Sequence, residues 1–362
     1  MKVLHVEAGK HYYGGARQVA YIIEGLANRG VDNFLACPIA ADIAAAVGAT
    51  AQVYPLKMSG DVDVGMVLRL VRLIRAIKPD LVHLHSRRGA DSWGGLAAKI
   101  CGVPCVLSRR VDNPESRLQV AIKYRLYDHV ITISEGIRQV LLAEGLASQR
   151  VTCVRSAVDA TPYLVPVERN AFLQEFALPA DSVIVGIVAQ LIERKGHRYL
   201  IEAIDVLHHT YPKLRVLVFG KGPLQAALQQ EVTQRKLMEV IRFAGFRNDL
   251  PQWLGGLDLL VHPADMEGLG VSLLQASAAA VPIIASRAGG LPEAVADGIS
   301  GILIPPGDVS TLITAMQRLL DDADLRHQFG AAGRQRILRE FSVDAMVEGN
   351  LAVYRRVLAA RA

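Results

Sequence analysis

The chain has 362 residues and a mass of 39.2 kDa, with 51% hydrophobic and 21% charged residues. That length points to about two domains, and the composition excludes a disordered or fibrous chain. The net charge of +5 is uneven: residues 1–164 hold 20 Lys/Arg and 14 Asp/Glu (20 − 14 = +6), residues 165–362 hold 20 and 21 (20 − 21 = −1), which suggests two modules with different partners.

Aromatics are only 6%, so the cores should be aliphatic. The chain enters a strand-like run at once, Val3–Val6, and no signal peptide is read ahead of it. Further strand candidates in the first half are Phe34–Ala36, Leu81–Leu84, Cys105–Leu107, Val130–Ile133 and Thr152–Val154. In the second half they are Val183–Val188, Arg215–Phe219, Ile241–Ala244, Leu257–Val261, Ile283–Ala285 and Gly301–Leu303. Helix-period segments lie between them, among them Ala16–Arg29, Val67–Ile77, Tyr199–His209 and Leu224–Arg235. Short apolar strands alternating with helices predict parallel sheets covered on both faces.

The alternation pauses over Asp159–Ala180, which carries Pro162, Pro166 and Pro179. The boundaries expected are an N-terminal domain 1–164, a linker 165–180 and a C-terminal domain 181–340. A last helix, 341–362, carries Phe341, Met346, Val347, Leu351, Tyr354 and Leu358 at helical spacing and is expected to pack back on the first domain. The fold class read is α/β: two doubly wound, Rossmann-like domains facing each other across a cleft, with ligands at the carboxyl ends of the strands.

The longest uncharged stretch, Gly268–Ser286, is 19 residues and contains Ser272, Gln275, Ser277 and Pro282, so it reads as helix, turn and buried strand rather than a membrane span. Cys37, Cys101, Cys105 and Cys153 form no Cys-x-x-Cys and pair with no His at zinc spacing. They read as thiols of a reducing cytosol.

Three glycine-rich turns follow strands and open helices: Gly14-Gly15, Gly220-Lys221-Gly222-Pro223, and Gly268 with Gly270. Such turns let a phosphate approach backbone N–H groups at a helix N-terminus, or simply make tight turns. No Gly-x-Gly-x-x-Gly and no P-loop sequence occurs. Arg194-Lys195-Gly196-His197 follows another strand, and two adjacent cations suit a diphosphate or a solvated basic turn. The run His262-Pro263-Ala264-Asp265-Met266-Glu267-Gly268-Leu269-Gly270-Val271, ending in Gln275, places a carboxylate at a strand end before a helix, where it can accept hydrogen bonds from sugar hydroxyls. Gln275 lies eight residues on, about two helical turns, and is expected on the same side.

An ordered series of motifs then resembles a known family. The series is Gly14-Gly15-Ala16-Arg17, Pro79 through Ser86, Ile133-Ser134-Glu135, Ser156-Ala157-Val158-Asp159, Arg194 through His197, Gly220 through Pro223, Gly245-Phe246-Arg247-Asn248-Asp249, Glu267 through Gln275, Gly289 through Glu293, and Pro305-Pro306-Gly307-Asp308. It is similar to the GT-B nucleotide-sugar glycosyltransferases of family 4, retaining enzymes of the cell-envelope type. Ser108-Arg109-Arg110-Val111-Asp112-Asn113-Pro114 resembles members that extend lipopolysaccharide cores.

The resemblance implies roles. Lys195, with Arg194, would neutralise a donor diphosphate, and Glu267 would hold the donor sugar. The backbone of Gly268, Leu269, Gly270 and Val271 would line sugar and phosphate, and Gln275 would meet the ribose. Phe246 and Arg247 would flank the base, with Gly220 and Gly222 on the donor side. Gly15 would approach the diphosphate from the first domain, and His85, Arg109 and Arg110 would face the acceptor. It implies retention of configuration, no metal and no cofactor. Asp61-Val62-Asp63, a superficial Asp-x-Asp, is read as a loop.

Three departures from the family pattern stand out: Gln275 stands for a second glutamate, Gln190 for an arginine, and Arg109 and Arg110 occupy the region of a histidine. Gln190 and Gln275 leave a nucleotide-sugar binder of weak activity as an alternative; a nucleotide-sugar epimerase of the same fold is another, although such enzymes lack this Lys195/Glu267 motif order. The basic helix positions Arg69, Arg72, Arg75 and Lys78, with Arg87, Arg88 and Arg117, suggest a solvated face or attraction to an anionic membrane surface. No nucleic-acid recognition motif accompanies them. The location expected is cytoplasmic and peripheral, at the inner face of the cytoplasmic membrane.

Overall fold

A computed structural model describes residues 1–85, 89–111 and 113–361. Ser86, Arg87, Arg88 and Asp112, named above, lie outside the described residues.

The strands of the first half are β1 (Lys2–Val6), β2 (Asp32–Pro38), β3 (Gln52–Leu56), β4 (Leu81–Leu84), β5 (Cys105–Arg109), β6 (His129–Thr132) and β7 (Val151–Cys153). They form one parallel sheet in the order β3-β2-β1-β4-β5-β6-β7. The second half supplies β8 (Val183–Val188), β9 (Leu214–Phe219), β10 (Ile241–Gly245), β11 (Leu259–His262), β12 (Ile283–Ser286) and β13 (Gly301–Ile304), again parallel, in the order β10-β9-β8-β11-β12-β13. Each sheet is wound outward in both directions from its first strand. The strand order therefore reverses between β1 and β4 and between β8 and β11, where a doubly wound sheet opens its ligand crevice.

The core is aliphatic because both sheet faces are covered. On one face of the first sheet, Leu4, Val6, Val82 and Leu84 pack with Met66, Leu70 and Ile74 of the helix Gly65–Ile77. On the other, Val3, Val106 and Ile131 meet Ile22 and Leu26 of the helix Gly14–Ala27 and Val347, Leu351 and Tyr354 of the helix Val343–Ala359. Those two helices come so close that a Cβ on Gly25 would stand 2.4 Å from Val347. The second sheet is enclosed likewise, with Val185, Ile187, Val216 and Leu259 among Leu200, Ile204, Leu312 and Met316.

The chain divides into a first unit, Met1–Ala157 with Val343 onward, and a second, Val158–Ser342. The stretch 165–180, expected as a linker, instead belongs to the second unit. It carries the helix Arg169–Glu175, whose Phe172 and Phe176 are buried beside Trp253, with Phe176 also against Phe219. Its prolines mark breaks in helix and strand, and two buried aromatics outweigh them in placing the segment. Phe341 likewise lies before the last helix; its carbonyl accepts from Val158 N–H at 3.0 Å within the second unit. The edge strand β3 escapes the sequence reading because Gln52-Val53-Tyr54-Pro55-Leu56 is half exposed and contains a proline, which only an edge accommodates.

Several of the ordered motifs serve the fold itself. The Asp80 carboxylate accepts from Lys2 N–H at 2.7 Å. Ser134 and Asp308 cap the helices Glu135–Ala143 and Val309–Asp321. The Gln18 amide exchanges two hydrogen bonds with Ala157, at 2.7 and 2.8 Å, tying the first helix to the end of the unit. Among the described residues no helix is long and apolar enough to cross a membrane.

Candidate active site

In the second unit the loops after β8 and β11, neighbours at the strand reversal, clasp each other. Asp265 N–H donates to the Arg194 carbonyl at 2.9 Å, and the Arg194 guanidinium donates to the Met266 carbonyl at 3.0 Å. Gly196 adopts φ +70°, and a Cβ there would stand 2.0 Å from the Pro263 carbonyl, so this approach requires glycine. The clasp brings Lys195 and Glu267 into direct ion pairing between two largely buried side chains.

The Glu267 carboxylate accepts from Lys195, from Gly268 N–H at 3.0 Å and from His262 Nε2 at 3.2 Å. A carboxylate only accepts, so His262 carries its proton on Nε2. Burial opposes ionisation of Glu267, but His262 and Lys195 outweigh it and hold the carboxyl well below its usual range. His262 is itself kept neutral by burial, which its bond to Glu267 offsets only in part.

Lys195, Arg194 and Glu267, three residues singled out in the sequence, thus form one cluster. His262 was not singled out, although an imidazole closing an otherwise apolar buried strand was its available signal.

Gly268 joins this cluster through its N–H; the other positions make no hydrogen bond to it among the described residues. The helix carrying Gln275 begins only at Val271, so Glu267 precedes it and the two-turn spacing argument does not apply. Gln275 is half-buried, and its side-chain amide makes no hydrogen bond among the described residues. Gly270 lies at φ +79° as the N-cap, leaving that helix start without a side-chain cap beside Gly268, Leu269 and Val271. Arg247 is engaged by protein: it pairs bidentately with Asp249, at 2.6 and 2.7 Å, and with Glu175 at 2.7 Å. Phe246 is half exposed with the Lys221 ammonium 5.1 Å from its ring. Gly220 and Gly222 are required by packing, since a Cβ on either would meet the Ala189 or Leu191 carbonyl at 1.9 and 2.5 Å.

In the first unit a cavity of about 240 Å³ opens at the carboxyl ends of β1, β4 and β5, lined by Glu7, Gly15, His85, Ser108, Arg109 and Arg110 among others. The two arginines differ. Arg109 is buried, pairs with Glu115 at 3.1 Å and donates to the Asn113 carbonyl at 2.5 Å. Lys123 continues this network to Glu115 and Asp91, at 3.1 and 2.7 Å. Arg110 spends only its Nε, on the His85 carbonyl at 3.3 Å; its terminal nitrogens bond nothing among the described residues. Gly15 has a Cβ position with nothing within 4 Å and no left-handed φ, so the fold alone does not demand glycine there.

Behind the cavity, β1 and β4 place His5, His83 and His85 side by side, because His5 and His83 are register partners and His85 follows two residues on. All their nitrogens but His85 Nδ1 are satisfied by one another or by the protein. His5 bonds His85 at 2.9 Å and Asn33 at 3.1 Å, and His83 bonds Tyr354 at 2.5 Å and Ser108 at 2.8 Å. Burial holds His5 at about 4 and His83 and His85 well below the usual imidazole value.

Of the basic helix, Arg69 pairs with Asp63 at 2.6 Å, while Arg72, Arg75 and Lys78 are exposed. Asp63 also accepts from Ser59 N–H at 2.9 Å, so this Asp-x-Asp anchors a loop.

Comparison with known proteins agrees with this architecture. Residues 168–336 match the family described as "Glycosyl transferases group 1", and residues 12–161 the one described as "Glycosyltransferase Family 4". The chain is 31% identical over 315 residues to 2-deoxystreptamine glucosyltransferase of Streptomyces kanamyceticus, covering 80% of each chain. It is 25% identical over 355 residues to the lipopolysaccharide core biosynthesis glycosyltransferase LpsE of Rhizobium meliloti, covering 97% of this chain and 98% of that one. Among solved structures it resembles Anabaena Alr3699/HepE in complex with UDP, with a TM-score of 0.86 and 19% identity, covering 98% of this chain and all of that one. The chain belongs to the family 4 glycosyltransferases and has their GT-B fold.

Proposed function

We propose that the protein moves a sugar from a nucleoside diphosphate sugar to a hydroxyl of a glycan or lipid-linked acceptor, with retention of configuration, in cell-envelope assembly of the lipopolysaccharide-core kind. The observation that carries this is the cluster of Lys195, Arg194 and Glu267 at the strand reversal of the second unit. Departure of a diphosphate builds negative charge, and Lys195, Arg194 and the uncapped helix start at Val271 are placed to receive it. We assign that neutralisation to these cations rather than to a metal ion. Glu267, held by three donors, suits binding of sugar hydroxyls better than attack on carbon, in keeping with retention without a carboxylate nucleophile. The likeness to HepE, whose structure is also known with UDP-glucose, and to LpsE supports the donor class and the setting. Phe246, half exposed, is assigned to flank the base, and Gln275 to meet the ribose.

The cavity of the first unit, with His85 and Arg110, receives the acceptor in this reading; Arg109 braces its wall, and Gly15, assigned to the diphosphate, also lines it. The protein works at a cytoplasmic membrane face. Leu68, Arg72 and Arg75 are all exposed and stand at i, i+4 and i+7 on the helix Gly65–Ile77, so apolar and basic side chains share one helix face.

Thermal-shift measurement against a panel of nucleotides and nucleotide sugars tests the donor class. Stabilisation by a nucleotide sugar, followed by release of the nucleoside diphosphate and a product with the donor's anomeric configuration, is expected. Epimerised donor, or stabilisation without any turnover, would replace this reading with the epimerase or the binding protein. Vesicle binding should be salt-sensitive and lost in Arg72→Glu with Arg75→Glu; binding unchanged by that reversal removes the membrane part.

A further inference from the structure

The hydrogen-bond chain Asn33–His5–His85 fixes which nitrogens carry protons. Asn33 Nδ2 donates to the carbonyls of Ile23 and Val31, both at 3.1 Å. Both amide protons are thereby used, so Oδ1 faces His5 Nε2 as an acceptor, and that nitrogen must bear a hydrogen. His5 is fully buried and neutral near pH 7, so its Nδ1 is a lone pair. That lone pair lies 2.9 Å from His85 Nε2, which must therefore be the donor. His85 is also fully buried and neutral, which leaves its Nδ1 without a proton. This atom is buried and has no hydrogen-bond partner, in a residue that lines the cavity beside Arg110.

We infer that His85 Nδ1 accepts a hydrogen bond from a hydroxyl of the molecule the cavity receives, and that Asn33 dictates this role through His5. The inference rests on the reading of this cavity as the acceptor site and adds to it the chemistry of one contact. A bare imidazole nitrogen repels an anionic oxygen and selects an O–H donor. The free guanidinium nitrogens of Arg110 do the reverse, so the pair suits an alcohol whose neighbouring oxygen atoms need donors. The three-histidine cluster is accordingly read as hydrogen-bonded structure rather than a metal site, with only Asn33, His5 and His85 linked in a proton-ordered chain: apart from His85 Nδ1, each ring nitrogen already has a partner.

The test uses the full chain with nitrogen-15-labelled histidine, the His85 signals being assigned by their loss in His85→Gln. A pyridine-type Nδ1 and a protonated Nε2 at neutral pH are expected. Asn33→Asp should reverse them: a carboxylate stabilises a doubly protonated His5, whose Nδ1–H then donates to His85 Nε2 and moves the His85 proton to Nδ1. Transfer from UDP-glucose to glycerol and to methyl α-D-glucopyranoside should fall roughly tenfold or more in kcat/KM in Asn33→Asp and in His85→Leu. Hydrolysis of UDP-glucose without acceptor should fall less than transfer does in both variants, and the thermal midpoint reports any loss of fold. A proton on Nδ1 in the wild type, or transfer undiminished in folded variants, overturns the inference alone. Transfer by the wild type to no hydroxyl compound overturns the acceptor reading and this inference with it.

Discussion

The two units wind their sheets alike and reverse strand order at the same place, yet they furnish the strand ends with different chemistry. The second unit uses ions: Lys195 and Glu267 are paired outright, and Arg194 and His262 hold the pair in place. The first spends most of its charges on one another, in the network of Arg109, Glu115, Lys123 and Asp91, and adds buried neutral imidazoles and one guanidinium, Arg110, left partly unspent. A developing charge needs a preorganised countercharge, whereas a neutral hydroxyl needs only a correctly placed lone pair. The difference teaches that the same topological crevice can be tuned for an ionic or a neutral ligand by which of its polar groups, charged or neutral, are left for the ligand.

The largest effect that would break this contrast concerns Lys195. Lys195→Ala removes the countercharge of the second unit and leaves Glu267 buried with only two donors. Loss of about 10²–10³-fold in donor hydrolysis is expected, the range for removing one preorganised stabilising group. A change under about tenfold would mean that the ion pair is structural and that the two units differ less than proposed.

Next comes the pair of arginines in the first unit. Arg109→Ala removes one cation from the largely buried Glu115, which keeps Lys123 and the Tyr124 hydroxyl, and should cost about 3–5 kcal/mol in chemical denaturation. Arg110→Ala should leave stability nearly unchanged, since its terminal nitrogens bond nothing among the described residues, and should weaken acceptor use instead. Equal stability losses would erase the distinction between the bracing arginine and the free one.

These expectations differ in how far they could be read from the chain. Lys195 and Glu267 announce themselves locally, each beside glycines at the end of an apolar run, and their motif order resembles a family. Arg109 and Arg110 are adjacent in sequence, and only the positions of Glu115 and Asn113 separate their roles. The Asn33–His5–His85 chain was hidden because its partners lie 28 and 80 residues from His5, brought together by sheet register alone. A sign was present nonetheless: His5, His83 and His85 interrupt strands that a covered parallel sheet should fill with aliphatic side chains. The linker expectation failed for the converse reason, since prolines are local features while the burial of Phe172 and Phe176 is decided by Trp253 and Phe219 far along the chain.

Acid should weaken the histidine-lined unit. His5 has an ordinary value of 6.5 and is lowered to about 4 by burial, partly offset by its bond to Asn33. Its folded-state value is depressed, so below 6.5 the unfolded chain takes up a proton that the folded one refuses. Stability is therefore complete above about pH 6.5 and is lost progressively down to about pH 4, by roughly 3 kcal/mol for this residue. His129 and His197, both lowered to about 4, act in the same direction, so the slope is shared and not exclusive to the first unit. Denaturation midpoints between pH 7 and pH 5 should fall in the wild type and fall less in His5→Gln. An equal slope in both would show that His5 is not shielded as its burial requires.

The finest distinction lies between two glycines. Gly220 has φ +139° and its Cβ position meets the Ala189 carbonyl at 1.9 Å, so Gly220→Ala should cost about 1–3 kcal/mol from backbone strain alone, with the clash adding to it. Gly15 carries neither constraint: its φ is ordinary and its Cβ position is open. Gly15→Ala should therefore keep or slightly raise the denaturation midpoint, because an unfolded alanine has fewer conformations to lose than a glycine. If Gly15 is glycine so that a ligand can approach the cavity it lines, the same substitution should raise KM while the fold is untouched. A methyl group at Gly15 that changes neither stability nor KM would place Gly14-Gly15 with the turns that serve only the fold. The first unit would then be left with His85 and Arg110 as its functional contacts.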